Sequence, residues 1–269
     1  MVAERITMPI FPFGRGEKKP RTDESESSDG FSLGFTEHFS WVAETGVNSV
    51  NGADWISKNA VPYLEAAYGV YRDSEFQVGD LTTLPVRVTV RASSQCAGGI
   101  GGATGDGSLS YCAGEWNSNQ YCYGIITHEL CNLFTGECVT AGWPTEWWAN
   151  HRSPFPTMIA NEVMRTLIPK YYRMWGDYND PLVLMFERLY KTYPGMFARM
   201  FRKMKELRIS LVSYNEPQLS QVVYYFMFFG AQKALGRYFV SPPMPMINIG
   251  VLQDLESKFQ LGVTSLAIE

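Results

Sequence analysis

Hydrophobic and polar residues alternate along residues 84–92, whose sequence is LPVRVTVRA. Val86, Val88 and Val90 occupy every second position, with arginine and threonine between them. Because successive side chains of a strand point to opposite faces of a sheet, the alternation predicts a half-buried strand with the three valines facing inward.

A helical spacing of apolar residues marks the region before this strand. Residues 61–71 have apolar side chains at positions 61, 64, 67, 68 and 71, which predicts an amphipathic helix with Pro62 in its first turn. The wider region 31–79 is rich in aromatic residues, and we interpret their spacing as helical. His38 lies there beside Phe39, and a single histidine among aromatic residues is more often a packed residue than a ligand.

From Met158 onward the same spacing predicts a mostly helical half with four or five helices in succession. The turns between them are marked by Pro169, Gly176, Pro181, Pro194, Gly195 and Pro217. Residues 222–229, VVYYFMFF, are apolar all round, which predicts a central buried helix. Residues 242–269 contain two short apolar segments that we expect to dock on these helices.

A glycine-rich run, residues 98–107, leads into a second predicted strand. The run lacks the Gly-Lys-Ser/Thr ending of a phosphate-binding loop, so we predict a turn rather than a nucleotide site. Residues 107–112 then form a short strand. If this strand is an edge of the sheet, an extended peptide can add to it, and the alternative is a protected edge. The predicted substrate-binding residues are Gly107, Ser108, Leu109 and Ser110.

Residues 124–152, GIITHELCNLFTGECVTAGWPTEWWANHR, contain the candidate chemistry. A helix is predicted over residues 127–134, ending near Gly136, because glycine commonly follows a helix C-terminus. A second short helix is predicted over residues 143–151, with Pro144 in its first turn.

His128 and Asn132 are four residues apart, so on a helix they share one face, and Glu129 lies at the edge of that face. This pattern is the metallopeptidase helix H-E-x-x-H with asparagine in place of the second histidine. In that helix two histidines hold zinc and the glutamate takes a proton from water. A neutral amide oxygen is a poorer zinc ligand than imidazole, so Asn132 weakens the prediction of a zinc site.

The order of these predicted elements resembles the gluzincin metallopeptidases, the thermolysin-like group. The resemblance covers residues 31–240 by element order, and the matching motif residues are His128, Glu129 and Glu146. It implies that His128 binds zinc, that Glu129 is the general base, and that Glu146 on the following helix is another zinc ligand. Without that role, Glu146 could instead pair with Arg152.

In the zinc site that the resemblance implies, the ligand normally supplied by the second histidine is missing, and three alternatives are open. Asn132 coordinates zinc through its oxygen, His151 takes its place, or the metal has been lost. A tyrosine of the helical half is expected to stabilise the oxyanion, and the sequence offers Tyr224, Tyr225 and Tyr214 without a way to choose among them.

The expected fold class is α+β, with a small mixed sheet and an active-site helix followed by a mostly helical C-terminal subdomain. We divide the chain into a flexible leader (1–30), a metallopeptidase-like subdomain (31–157) and a helical subdomain (158–269). The first functional hypothesis is a zinc-dependent hydrolase of peptide or protein substrates. The second is a catalytically inactive protein of this fold that binds a peptide or protein partner, and the third is a helical interaction module with an incidental His-Glu pair.

Composition argues against several other classes. The chain has 269 residues, 45% of them hydrophobic, enough for a sizeable core. Its 23 basic and 27 acidic residues give a net charge of −4 without a basic stripe, so nucleic-acid binding is not expected. No segment approaches the roughly 18 consecutive apolar residues of a membrane span, and the N-terminus has no signal-peptide pattern. We therefore expect a cytoplasmic protein, with export by another route as the alternative.

Five cysteines lie at positions 96, 112, 122, 131 and 138, and none belongs to a Cys-x-x-Cys metal motif. Their odd number leaves at least one thiol unpaired. They are interpreted either as small buried residues or as one or two disulfides near the predicted site.

Overall fold

The structure, a computed structural model, describes residues 30–44, 53–73, 84–91, 101–103, 107–112, 119–138, 154–209, 216–238, 247–263 and 265. The predicted leader, apart from Gly30, and the predicted helix over residues 143–151 lie outside these ranges. The described residues combine a small mixed sheet with a mostly helical second half, so the predicted α+β fold class is confirmed.

Five of the described segments are strands of one sheet. They are β1 (Gly30–Phe35), β2 (Phe39–Glu44), β3 (Val86–Arg91), β4 (Gly101–Ala103) and β5 (Leu109–Cys112). Their order across the sheet is β1-β2-β3-β5-β4. The central strands β2, β3 and β5 run parallel, and β1 and β4 pair antiparallel with the two sides of this centre.

Strand β3 has the predicted alternation, since Val86, Val88 and Val90 are all buried. Strand β2 alternates in the same way, with fully buried residues at every second position. The helical interpretation is therefore wrong for residues 31–44. The aromatic residues of β2 are buried because they share the inner face of the sheet with β3, to which β2 is paired.

Strand β5 lies inside the sheet, so its residues 109–111 do not meet the condition for strand addition, which was an edge position. Residues 109–111 pair with β3 on one side and with β4 on the other. Their backbone hydrogen-bonding groups are therefore used within the sheet, and strand addition gives no reason to assign peptide binding to Leu109 and Ser110. Substrate binding by Gly107 and Ser108 stays a prediction.

The helices of the second half follow the predicted spacing, and the helix Val61–Asp73 begins at the predicted residue. The helix that carries the His-Glu motif, Asn119–Cys138, is longer than predicted, and the expected end near Gly136 is wrong because the helix continues past that glycine. A π-helical turn, Ile56–Ala60, directly precedes the helix Val61–Asp73, and short 3-10 turns occur at Pro169–Tyr171 and Gly236–Tyr238. The helices are α1 (Ala53–Trp55), α2 (Val61–Asp73), α3 (Asn119–Cys138), α4 (Pro154–Leu167), α5 (Pro181–Thr192), α6 (Met196–Glu206), α7 (Glu216–Ala231) and α8 (Ile249–Phe259).

Buried side chains of the sheet and the helices form one continuous hydrophobic core. Residues 222–228 of α7 are all buried, which confirms the prediction of a buried central helix. The predicted division between residues 157 and 158 falls inside α4. No helix in the described ranges has the length and apolar content that crossing a membrane requires.

The described cysteines differ in state. The sequence was interpreted as containing either small buried cysteines or disulfides, and both kinds occur. Cys112 at the end of β5 is disulfide-bonded. Cys122 and Cys131 are buried thiols on α3. The described cysteines therefore include both a disulfide-bonded residue and buried thiols.

A buried carboxylate links α5 to the segment that precedes it. Glu187 is 5% exposed, accepts a hydrogen bond from Arg173 Nη2 at 3.0 Å and forms an ion pair with Lys191. Burial alone would raise the pKa of Glu187, but hydrogen bonds from Lys191 and Arg173 outweigh it and lower the pKa from 4.5 to about 2. The charged form of Glu187 therefore stabilises the folded state.

Replacing Glu187 with glutamine is expected to lower the free energy of unfolding near pH 7 by about 1–2 kcal/mol. The pKa shift alone would give a larger value, but Arg173 and Lys191 are half-exposed, so solvent screens their attraction to Glu187. Because the folded pKa lies below the unfolded pKa, this contribution is present above about pH 4.5 and is lost as pH falls toward about 2. Urea unfolding of the wild type and Glu187→Gln, near pH 7 and near pH 3, measures the contribution of the Glu187 charge. The difference should shrink by more than half near pH 3, and a constant difference would contradict the role of the charge.

Candidate functional site

Helix α3 carries the predicted His-Glu motif and is fixed against α2 at Thr127. The Thr127 hydroxyl donates to the Tyr123 carbonyl at 2.8 Å and shares a hydrogen bond of 2.7 Å with the Tyr63 hydroxyl. The Tyr71 hydroxyl donates to the Thr127 carbonyl at 3.2 Å. These buried contacts hold the helical turn from which the motif side chains project.

His128 is buried, and one of its ring nitrogens is unused by the described residues. The residue is 8% exposed, and its ring meets Trp175 edge-on with the centroids 5.9 Å apart. Nδ1 has no hydrogen-bond partner in the described part of the chain. Burial lowers the pKa of His128 from 6.5 to about 4, so the imidazole is neutral near pH 7. A neutral imidazole is the form that binds a metal ion.

Trp175 covers this part of α3 because residue 124 is glycine. A Cβ atom at Gly124 would lie 2.2 Å from Cε3 of the indole. Asn161 fixes the backbone of Trp175, donating to its carbonyl at 2.9 Å and accepting from its amide at 3.2 Å. No local pattern in the sequence connects Trp175 to α3, so its place in the site was not predicted.

Glu129 is held by Asn132. The Asn132 side-chain amide donates from Nδ2 to Glu129 Oε2 at 3.0 Å, across the three-residue spacing at which helical side chains meet. Glu129 is 6% exposed. In this arrangement Asn132 orients the carboxylate, and its role as a metal ligand stays a prediction.

Tyr111 of β5 also lies near the motif, and its place there was not predicted. It is fully buried, and its hydroxyl donates to the Ile126 carbonyl at 3.2 Å. Burial, followed by the negative charge of Glu129, raises the pKa of Tyr111 well above 10.0, so the hydroxyl keeps its proton. The alternation of β5 indicates that Tyr111 points inward, but no sequence pattern indicates that Glu129 lies nearby.

Several predicted site residues are not brought to α3 by the described structure. Glu146, His151 and Tyr214 lie outside the described residues. Tyr224 is fully buried in α7, and its role at the oxyanion stays a prediction. The Tyr225 hydroxyl donates to a carboxylate of α8 at 2.9 Å, so it is already engaged in packing the C-terminal helix.

A different group of potential metal ligands lies where the turn between β1 and β2 meets α2. Glu37, His38 and Glu65 offer ligand atoms that all lie within 4.8 Å of one another. Across the described ranges, this is the group of three or more His, Cys, Asp or Glu side chains that could hold one metal ion. The chain therefore has a group of residues suited to a metal, at a place other than the predicted zinc site.

The predicted zinc site can be tested for fit at His128. Its buried Nδ1 is a nitrogen donor of the kind zinc prefers, and the neighbouring Glu129 carboxylate suits a general base. His128 therefore fits the role of a zinc ligand. The other ligands implied by the resemblance are Glu146, outside the described residues, and either Asn132 or His151.

Comparison of the chain with family models, curated proteins and solved structures gives no match. The resemblance to gluzincins therefore rests on the order of the predicted elements and on the motif residues His128, Glu129 and Glu146.

Proposed function

We propose that the chain is a zinc-dependent hydrolase of peptide bonds with its site on α3. The main support is Nδ1 of His128, a buried atom without a hydrogen-bond partner among the described residues, next in sequence to the Glu129 carboxylate. Leaving a buried polar atom without a partner costs about 1–3 kcal/mol, so such an atom calls for an explanation. A zinc ion bound to His128 provides one.

The proposed ligands come from α3 and from the chain that follows it. His128 supplies an imidazole nitrogen, and Glu146 with either Asn132 or His151 completes the set of three protein ligands found in catalytic zinc sites. Zinc in such a site lowers the pKa of water and polarises a carbonyl oxygen.

Glu129 is the proposed general base. Its carboxylate accepts a proton from water and passes it to the leaving amine. Asn132 keeps the carboxylate in place, because its Nδ2 donates to Oε2. A base that is already oriented in the free protein needs less reorganisation during the reaction.

A catalytically inactive binding protein is the second candidate, and the same contact of Asn132 favours it. The hydrogen bond at 3.0 Å occupies an acceptor site of Glu129, and asparagine replaces the expected second histidine. In this alternative, α3 keeps the motif as part of its packing and the fold binds a peptide or protein partner without zinc.

Elemental analysis of purified, dialysed protein separates the two candidates. We expect the wild type to hold about one zinc ion more per chain than His128→Gln, since removing a ligand empties the site. A difference is measured because the group of Glu37, His38 and Glu65 can hold a metal as well. The matched control is His38→Gln, which should leave the zinc on α3 in place. Equal zinc in the wild type and His128→Gln would reject the hydrolase and favour the inactive binding protein.

A further inference from the structure

We propose that Glu37, His38 and Glu65 bind one divalent transition-metal ion that ties the turn between β1 and β2 to α2. This site uses none of the residues of the proposed hydrolase and does not depend on that function. We call it the turn site.

The ligand atoms of the turn site converge on one point. Those of all three side chains lie within 4.8 Å of one another. His38 Nδ1 and Glu65 Oε1 are 2.5 Å apart, and the His38 backbone amide donates to Glu65 Oε2 at 3.3 Å. Both oxygens of Glu65 are therefore directed at His38, which fixes the direction of one carboxylate ligand.

The separations suit a small ion after a modest rearrangement. Ligand atoms about 2.0–2.2 Å from zinc lie roughly 3.3–3.6 Å from one another in a tetrahedral site. The pair of His38 Nδ1 and Glu65 Oε1 would have to open by roughly 1 Å through a shift of the half-buried Glu65 side chain, and a wider pair would have to close by at most about the same amount. Glu37 is exposed, so its side chain is free of core packing and can close such a wider pair.

The imidazole of the turn site is held rigidly by its surroundings. Tyr68 stacks on the His38 ring with the centroids 4.2 Å apart. The His38 carbonyl accepts from the Val86 amide at 2.8 Å, which attaches the turn to β3. The Thr36 hydroxyl accepts from the Phe39 amide at 3.2 Å and closes the turn. Such outer contacts orient a ligand before the metal arrives, which reduces the cost of binding.

The donor types select the class of metal. One imidazole nitrogen and two carboxylates suit zinc, manganese and related first-row ions. Calcium and magnesium prefer sites made of oxygen alone, so the imidazole disfavours them. His38 is 9% exposed and Glu37 is exposed, so an ion can enter from solvent at Glu37 and reach a mostly buried nitrogen.

Glu37 distinguishes a metal site from a simple hydrogen-bonded pair. His38 and Glu65 already contact each other, so that pair alone gives no role to Glu37. A metal needs the third ligand. Removing the Glu37 carboxylate therefore weakens metal binding but leaves the fold without metal unchanged, since Glu37 is exposed.

The test is the thermal unfolding midpoint of the full chain with and without zinc chloride, in a His128→Gln background that removes the proposed ligand on α3. We expect a rise of roughly 5 °C or more at a zinc concentration 100-fold above the dissociation constant. Glu37→Gln should lose most of this rise, and His38→Gln should lose all of it. Asp54→Asn is the matched control, because it removes an exposed carboxylate that pairs with Lys58, and it should keep the rise.

Three results would overturn the turn site. Zinc could fail to raise the midpoint of the parent protein. The rise could persist in Glu37→Gln, in which case Glu37 is not a ligand. Calcium at the same concentration could raise the midpoint as much as zinc, which would contradict the role of the imidazole. Because zinc on α3 is removed beforehand, none of these results bears on the proposed hydrolase.

Discussion

Replacing Glu129 with glutamine is expected to reduce peptide hydrolysis by about 10²–10⁴-fold, the usual effect of losing a general base. The amide has nearly the same shape as the carboxylate, and its oxygen can still accept the hydrogen bond from Asn132. It cannot take a proton from water near neutral pH, so the chemical step is lost while α3 stays packed. Zinc content should not change, because Glu129 is not a ligand in the proposed site.

Cleavage of a peptide mixture, followed by mass spectrometry, measures this loss, and zinc is determined on the same samples. Glu206→Gln is the matched control, since Glu206 is an exposed acid that pairs with Lys203 at 2.5 Å. It should keep the wild-type rate. Full hydrolysis by Glu129→Gln with normal zinc would exclude Glu129 as the base, and no hydrolysis by the wild type would favour the inactive binding protein.

Patterns that repeat along a single segment predicted much of the fold. The alternation around Val88 locates β3, and the apolar spacing from Val61 locates α2. The helices of the second half follow in the same way, and α7 is buried because its residues are apolar on every side. In each case the environment of a residue is encoded by its near neighbours in sequence.

Pairing between distant segments is where prediction from the sequence failed. Strand β4 consists of Gly101–Ala103, and residues without large side chains carry no alternation, so only the partner β5 makes this segment a strand. Whether residues 109–111 form an edge depends on β4 in turn. The order of strands in the sheet decides whether β5 is paired on one side or on both. That order depends on distant segments, so it could not be predicted from the sequence of β5.

The candidate site shows the same division. The motif on α3 is local, so His128 and Glu129 were found at once. Trp175 and Tyr111 come from a later turn and from the sheet, and they meet α3 only through tertiary packing. Asn132 donates a hydrogen bond to Glu129, but an amide can also accept one or bind a metal through its oxygen, and spacing alone does not decide which of these roles it takes.

Gly124→Ala is expected to lower the free energy of unfolding by about 3 kcal/mol, at the upper end of the usual cost of overpacking a core. The new methyl group would lie 2.2 Å from Cε3 and 2.3 Å from Cδ2 of Trp175, well inside contact distance. The indole cannot withdraw with its backbone, because Asn161 is fully buried and bonds both the amide and the carbonyl of Trp175. Its ring must therefore rotate against His128 or α3 must shift.

Chemical unfolding of the wild type, Gly124→Ala and Gly69→Ala separates this clash from the general effect of alanine in a helix. Gly69 lies in α2, and a Cβ atom there would meet nothing within 4 Å. Gly69→Ala should therefore raise the free energy of unfolding by about 0.5–1 kcal/mol, since alanine favours a helix more than glycine does. The two substitutions are chemically identical and should have opposite signs. If Gly124→Ala were also stabilising, Trp175 would not lie against α3, and the packing around His128 would have to be revised.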